Sequence, residues 1–228
     1  MTIIRDCIAP DRNPKVPGIK LPEGSIDTHV HIFESQYPLF EGRGYNPPDS
    51  TLDDLKHLHS QLGVSRVVYT QPSPYGVDNS AILKGMKVMN DETPGRARGV
   101  CAITMDVTDN FLEDLDNQGI KGVRLNMDNI GGMPIGLDEI PSLEARIKGL
   151  GWHVEYLFPG KDIVELAPIF KKSSVPISIA HFAYQPATNG IESEGFNTLL
   201  DLVRDGNTWI KISGANRVSA TDLPPYDD

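Results

Sequence analysis

Asp27-Thr28-His29-Val30-His31 lies in the first alternating apolar segment of this chain, behind a polar, proline-rich leader. Side chains of an extended strand point to opposite faces in turn. His29 and His31 therefore share one face, about 7 Å apart, where they can converge on a metal or a small substrate. The alternative is a histidine pair on a solvated edge strand. The segment runs on into His31-Ile32-Phe33-Glu34-Ser35-Gln36. An open doubly wound sheet usually places a glycine-rich phosphate loop at this point, so the stretch favours a closed barrel.

Outward from this strand the chain alternates apolar segments with amphipathic ones. Further strand-like segments read at 66–71, 97–104, 122–126, 152–158, 177–182 and 208–213, the first itself covering 26–33. Leu52, Leu55, Leu58 and Leu62 mark a helix behind the N-cap candidate Ser50. A second helix opens at Asp162 with Ile163, Leu166 and Phe170 on one face, and Pro168 predicts a kink or an early end. Strands that alternate with helices pair in parallel and must be covered on both faces or closed on themselves. The fold class expected is α/β, a (β/α)₈ TIM-barrel type. A full barrel takes about 250 residues and eight strands, so the expectation here is one lacking the eighth strand and last helices. Residues 1–22 read as an extended N-terminal arm and 23–228 as the incomplete barrel domain.

The 21 Lys and Arg against 31 Asp and Glu give a net charge of −10. That mean field opposes nucleic acid and anionic membrane surfaces as partners. Cys7 and Cys101 form no C-x-x-C pair and no disulfide framework, which fits a reducing cytoplasm. The leader has no signal-peptide apolar core, and no run approaches membrane-spanning length.

In a barrel the chemistry sits at the C-terminal ends of the strands. There the sequence places Arg43-Gly44-Tyr45, then Gln71 and Ser73 followed by Asn79, as candidate substrate contacts. Arg124 lies inside a strand; its guanidinium keeps its charge and needs either an acidic protein partner or an anionic ligand. Arg217 is either a second carboxylate clamp or a solvated loop arginine. His153 and Glu155 share a face, with Glu155 the better site candidate and His153 a core histidine; His181 stands at the rim. His57 and His59, in the first helix, are expected at the surface.

Asp27-Thr28-His29-Val30-His31, Gly119-Ile120-Lys121-Gly122-Val123-Arg124-Leu125-Asn126, Gly151-Trp152-His153-Val154 and His181 together resemble the amidohydrolase superfamily. Within it the match is to the branch of 2-pyrone-4,6-dicarboxylate lactonase and related sugar-lactone hydrolases and isomerases. The resemblance runs from about Gly24 onward. It implies that His29, His31 and His181 polarise a lactone carbonyl, that Arg124 and Arg217 grip carboxylates, and that Tyr45 touches substrate. An eighth-strand aspartate serves that superfamily as base or metal ligand, in a run this sequence lacks. Glu155 is then the barrel carboxylate left to activate water. The branch is expected to work without a cofactor. Zinc on His29, His31 and His181 is the alternative, as in a zinc-dependent amidohydrolase or decarboxylase. From another class comes a truncated, non-catalytic fragment that binds or forms homo-oligomers through exposed barrel edges. The partner expected of an enzyme is a small carboxylate or lactone.

Overall fold

The computed structural model describes residues 4–128, 134–221, 224 and 226–228. The chain forms two compact units, one extending through Lys121 and the other comprising Gly122–Asp128 and Pro134–Asp228.

In the first unit β1 (Arg5–Asp6) pairs in parallel with β3 (Tyr45–Asn46), so part of the leader is held in a small ladder. The main ladder of this unit runs β2 (Ile26–Val30), β4 (Arg66–Thr70) and β5 (Ala97–Cys101), all parallel and in chain order. The intervening helices are α1 (Leu52–Leu62) and α2 (Ser80–Glu92), and α3 (Asp109–Asn117) follows β5. Val67, Tyr69 and Val100 from the strands and Ile82, Met86 and Met89 from α2 are buried together in its core. β2 ends three residues before the expected limit; Phe33 instead bridges antiparallel to Ser50. Its pairing with β4 slips between Asp27 and Val30, an irregularity at the histidine motif that re-aims side chains locally.

The leucine pattern of α1 is realised, one residue later at its start than expected. Thr51, not Ser50, is the N-cap. Its Oγ1 accepts from the Asp54 N–H, and the Asp54 carboxylate accepts from the Thr51 N–H, a reciprocal capping box. Gly63 closes the helix in the left-handed region, φ 76°.

β6 (Ile120–Asn126) leads into the second unit. There it is followed by β7 (His153–Leu157), β8 (Ile177–Ile179) and β9 (Thr208–Ile210), again parallel and in chain order. Helices α4 (Ile140–Ile147), α5 (Ile163–Phe170) and α6 (Glu194–Arg204) alternate with them, and a short α7 (Ala215–Val218) follows β9. Pro168 is accommodated inside α5, which ends two residues later. Tyr156 and Phe158 pack on Phe170, ring centroids 4.7 and 5.4 Å apart, so the face of β7 opposite Glu155 is the one against α5. In the register of β6 on β7, Gly122 sits opposite His153 and Arg124 opposite Glu155. A Cβ on Gly122 would come 2.6 Å from the imidazole of His153, so a side chain there would have to displace that ring. Among the described residues no helix is long and apolar enough to cross a membrane.

Candidate active site

In the first unit the two histidines of the opening motif do converge, much closer than the backbone spacing alone dictates. Their Nε2 atoms are 3.3 Å apart and the rings meet edge to face. Nδ1 of His31 lies 2.8 Å from the carbonyl oxygen of Thr70, at the end of β4. A carbonyl only accepts, so Nδ1 carries a proton and Nε2 of neutral His31 is the basic nitrogen. His29 is then the donor between them. Asp27 organises the same strand from its start. One carboxylate oxygen accepts the His29 N–H at 3.2 Å, and the other meets Nε2 of His59 at 3.2 Å. His59 is therefore not at the surface as expected. It is 1% exposed, since it follows buried Leu55 by one helical turn, whereas His57 points outward.

Two of the expected substrate contacts brace loops. Gln71 is buried, and its Nε2 donates to the carbonyls of Gly76 and Asp78 at 3.0 and 2.8 Å. Asn79 makes a two-way amide bond to the backbone of Ala102 and also donates to Val77. Ser73 is buried at the start of a 3₁₀ turn, Ser73–Tyr75. Tyr45 lies half-buried in β3, edge to face with Phe33.

In the second unit the arginine inside β6 has its acidic partner. Arg124 Nε is 3.6 Å from one carboxylate oxygen of Glu155, and Lys211 Nζ is 2.5 Å from the other. Glu155 is wholly buried. A buried carboxylate demands such compensation, and here it has two cations. Lys211 is not singled out by the sequence, because a lysine within the segment 208–213 resembles any lysine on the wet face of a strand. The alternation Trp209-Ile210-Lys211-Ile212-Ser213 carried the only signal.

His181 does not end a strand. β8 stops at Ile179, and His181 begins a turn in which it, Phe182, Ala183 and Tyr184 all have φ near +50°. Its Nδ1 is 2.9 Å from Ser213 Oγ, and the ring stacks on Tyr184. Gly214, φ 71°, lies under the imidazole, where a Cβ would approach Nδ1 to 3.0 Å. Burial, and then the positive charges of Arg124 and Arg217, push the His181 pKa down to about 4; Glu155 opposes them and Lys211 adds a smaller push. The ring is neutral at physiological pH. Arg217 itself is exposed on α7, yet close enough to act on both His181 and Tyr184. Among the described residues, Arg124, Arg217 and Lys211 thus act around His181 and Tyr184 together with the carboxylates of Glu155 and Asp128.

The histidine pair invites a metal test. Two nitrogens on one tetrahedral zinc, each at about 2.0–2.1 Å, lie about 3.3–3.4 Å apart, which the pair matches. Among the described residues, however, no group of three His, Cys, Asp or Glu could hold a metal ion. A catalytic zinc takes three protein ligands, of which His29 and His31 would supply two.

Parallel strands alternating with helices carry histidines, arginines and a carboxylate in and just beyond them, and the chain belongs to a class so built: it is a member of the amidohydrolase family, whose model matches residues 26–228. The chain is 33% identical over 212 residues to a 2-pyrone-4,6-dicarboxylate hydrolase of Comamonas testosteroni, covering 92% of this chain and 68% of the relative. It is 31% identical over 227 residues to a 4-sulfomuconolactone hydrolase of Hydrogenophaga intermedia, covering 97% and 73%. A crystal structure of a probable 2-pyrone-4,6-dicarboxylic acid hydrolase from Acinetobacter baumannii, with citric acid bound, superposes with a TM-score of 0.76 at 30% identity, covering 89% of this chain and 74% of that one. The fold is thus α/β of the TIM-barrel-like amidohydrolase type, and relatives of the chain open lactones.

Proposed function

We propose that this chain hydrolyses a carboxylated lactone, adding water across the ring acyl–oxygen bond to give a ring-opened carboxylate and a hydroxyl. The observation that carries this reading is the placement of Arg124, Arg217 and Lys211 around a part-buried, neutral His181. Such a cluster suits a substrate carboxylate while leaving an imidazole able to work without charge.

The roles follow from the hydrogen bonds. Substrate and water take the place of the His29–His31 bond: the His29 Nε2–H turns to the ring carbonyl, and His31 Nε2, made basic by the Thr70 carbonyl, accepts the proton of the attacking water. With the Ser213 hydroxyl donating to Nδ1, His181 presents Nε2–H as a donor to substrate. Arg124 and Arg217 hold substrate carboxylates, and Tyr45 touches the substrate. Glu155, ion-paired to Arg124 and Lys211, serves to balance and hold those cations, and the water-activating role first expected of it passes to His31. Gln71, Ser73 and Asn79 shape the loops that carry the site. The setting is cytoplasmic, in keeping with two cysteines that form no disulfide.

The test compares 2-pyrone-4,6-dicarboxylate with its dimethyl ester. The free acid is expected to be opened with kcat/KM at least about 100-fold above that of the ester, from two lost charged contacts. Arg217→Met is expected to raise KM for the acid about tenfold and leave the ester unaffected. Equal turnover of acid and ester, or no turnover of the acid, overturns the reading.

A further inference from the structure

His181, Phe182, Ala183 and Tyr184, with φ of 50, 52, 53 and 50°, form one left-handed turn containing no glycine. Left-handed backbone presses Cβ against the following carbonyl, so such residues normally occur singly. A run of four persists only where its surroundings over-determine it.

Those surroundings are specific. The Phe182 N–H donates to the Lys211 carbonyl at 3.2 Å, and the Ala183 N–H to the Ala180 carbonyl at 2.9 Å. Gln185, 8% exposed, donates from Nε2 to the carbonyls of Gly160 at 2.7 Å and Ala183 at 3.2 Å. The approach of Gly160 leaves no room for a side chain, since a Cβ there would stand 2.2 Å from the Tyr184 carbonyl oxygen. Gly195 makes the space for the other end of the amide, where a Cβ would stand 2.1 Å from Gln185 Oε1. Two glycines and one buried amide therefore enclose the turn.

We infer that Gln185 is a positioning residue for His181: by bridging Gly160 and Ala183 it locks the left-handed turn that sets the imidazole against Ser213 and Tyr184. Were residues 181–184 to relax to right-handed backbone, the Cβ of His181 would swing away and the 2.9 Å contact with Ser213 would be lost. Gln185 lies four residues from the ring it places and need touch no substrate. Its consequence for turnover rests on the lactone-hydrolase reading above; its effect on the position of His181 does not.

The experiment reads both. In the full-length chain labelled at histidine, the imidazole C–H resonance of His181 carries the ring-current shift of stacked Tyr184. In Gln185→Ala that shift is expected to collapse toward the ordinary histidine position, and kcat on 2-pyrone-4,6-dicarboxylate to fall about 100-fold with KM within about twofold. Adding Ala183→Gly, which makes left-handed backbone easy at one of the four positions, is expected to restore part of both. Gln185→Met, which keeps the volume, takes the place of the alanine variant if that does not unfold cooperatively. A folded variant whose His181 resonance stays at the wild-type position overturns the inference, as does a shift that Ala183→Gly does not recover. If the wild type opens no lactone, the functional reading falls and the resonance still decides the positioning.

Discussion

A single side chain illustrates how charge is managed here. His181 has a folded-state pKa of about 4, set first by burial and then by Arg124, Arg217 and Lys211, against about 6.5 in an unfolded chain. Between those values the unfolded chain binds the proton and the folded chain does not. The stability linked to His181 is therefore fully present above about pH 6.5 and is lost as pH falls toward about 4. We expect the His181 resonance to titrate with a midpoint near 4, and His181→Gln to flatten the loss of urea stability between pH 6.5 and 4; a midpoint near 6.5 would contradict the cationic surroundings described here. Much of this was legible only in part from the sequence. Arg124 inside a strand announced a need for an anion, but whether protein or ligand supplies it depends on the register of β6 on β7, which puts Glu155 opposite. Register is a long-range property and leaves no local trace. The burial of His59 follows from its spacing, because Leu55 and His59 are one helical turn apart, whereas its polar type alone points to the wet face.

Among elements, those with a strong local cause were legible and those with a tertiary cause were not. The strands that flank the helices were read from alternation, and α1 from its leucines, because burial of one face writes itself into the sequence. Its start falls one residue later than expected: Ser50 and Thr51 are both good caps, each with an aspartate three positions on, and the structure realises the reciprocal pair of Thr51 with Asp54. Thr51→Ala is accordingly expected to lower unfolding free energy by about 1 kcal/mol, read by urea denaturation, whereas Ser50→Ala should leave helix stability unchanged. Loss on the serine and none on the threonine would refute the assignment. The turn at 181–184 lies at the other extreme. Each left-handed residue costs roughly 1–2 kcal/mol, and nothing in His-Phe-Ala-Tyr signals it; its cause lies in Gly160, Gln185 and Gly195, which the sequence scatters over three elements. Extending β8 through Phe182 was the natural error.

On the scale of the whole molecule, the net charge of −10 averages over unlike regions. It opposes polyanionic partners and says nothing against a small anion. The α/β class was legible because parallel pairing follows from strands that alternate with helices, and the family because its motifs combine histidines and arginine at fixed strand positions. What the chain acts on lies beyond fold alone, since one fold serves many reactions. The central claim is that a lactone ring is opened by water at its carbonyl. The measurement that tests it most directly is turnover of 2-pyrone-4,6-dicarboxylate in ¹⁸O-labelled water, with the product read by mass spectrometry. One ¹⁸O in the newly formed carboxylate is the result the account predicts; a ring-opened or rearranged product without the label, or recovery of the lactone unchanged, would contradict it.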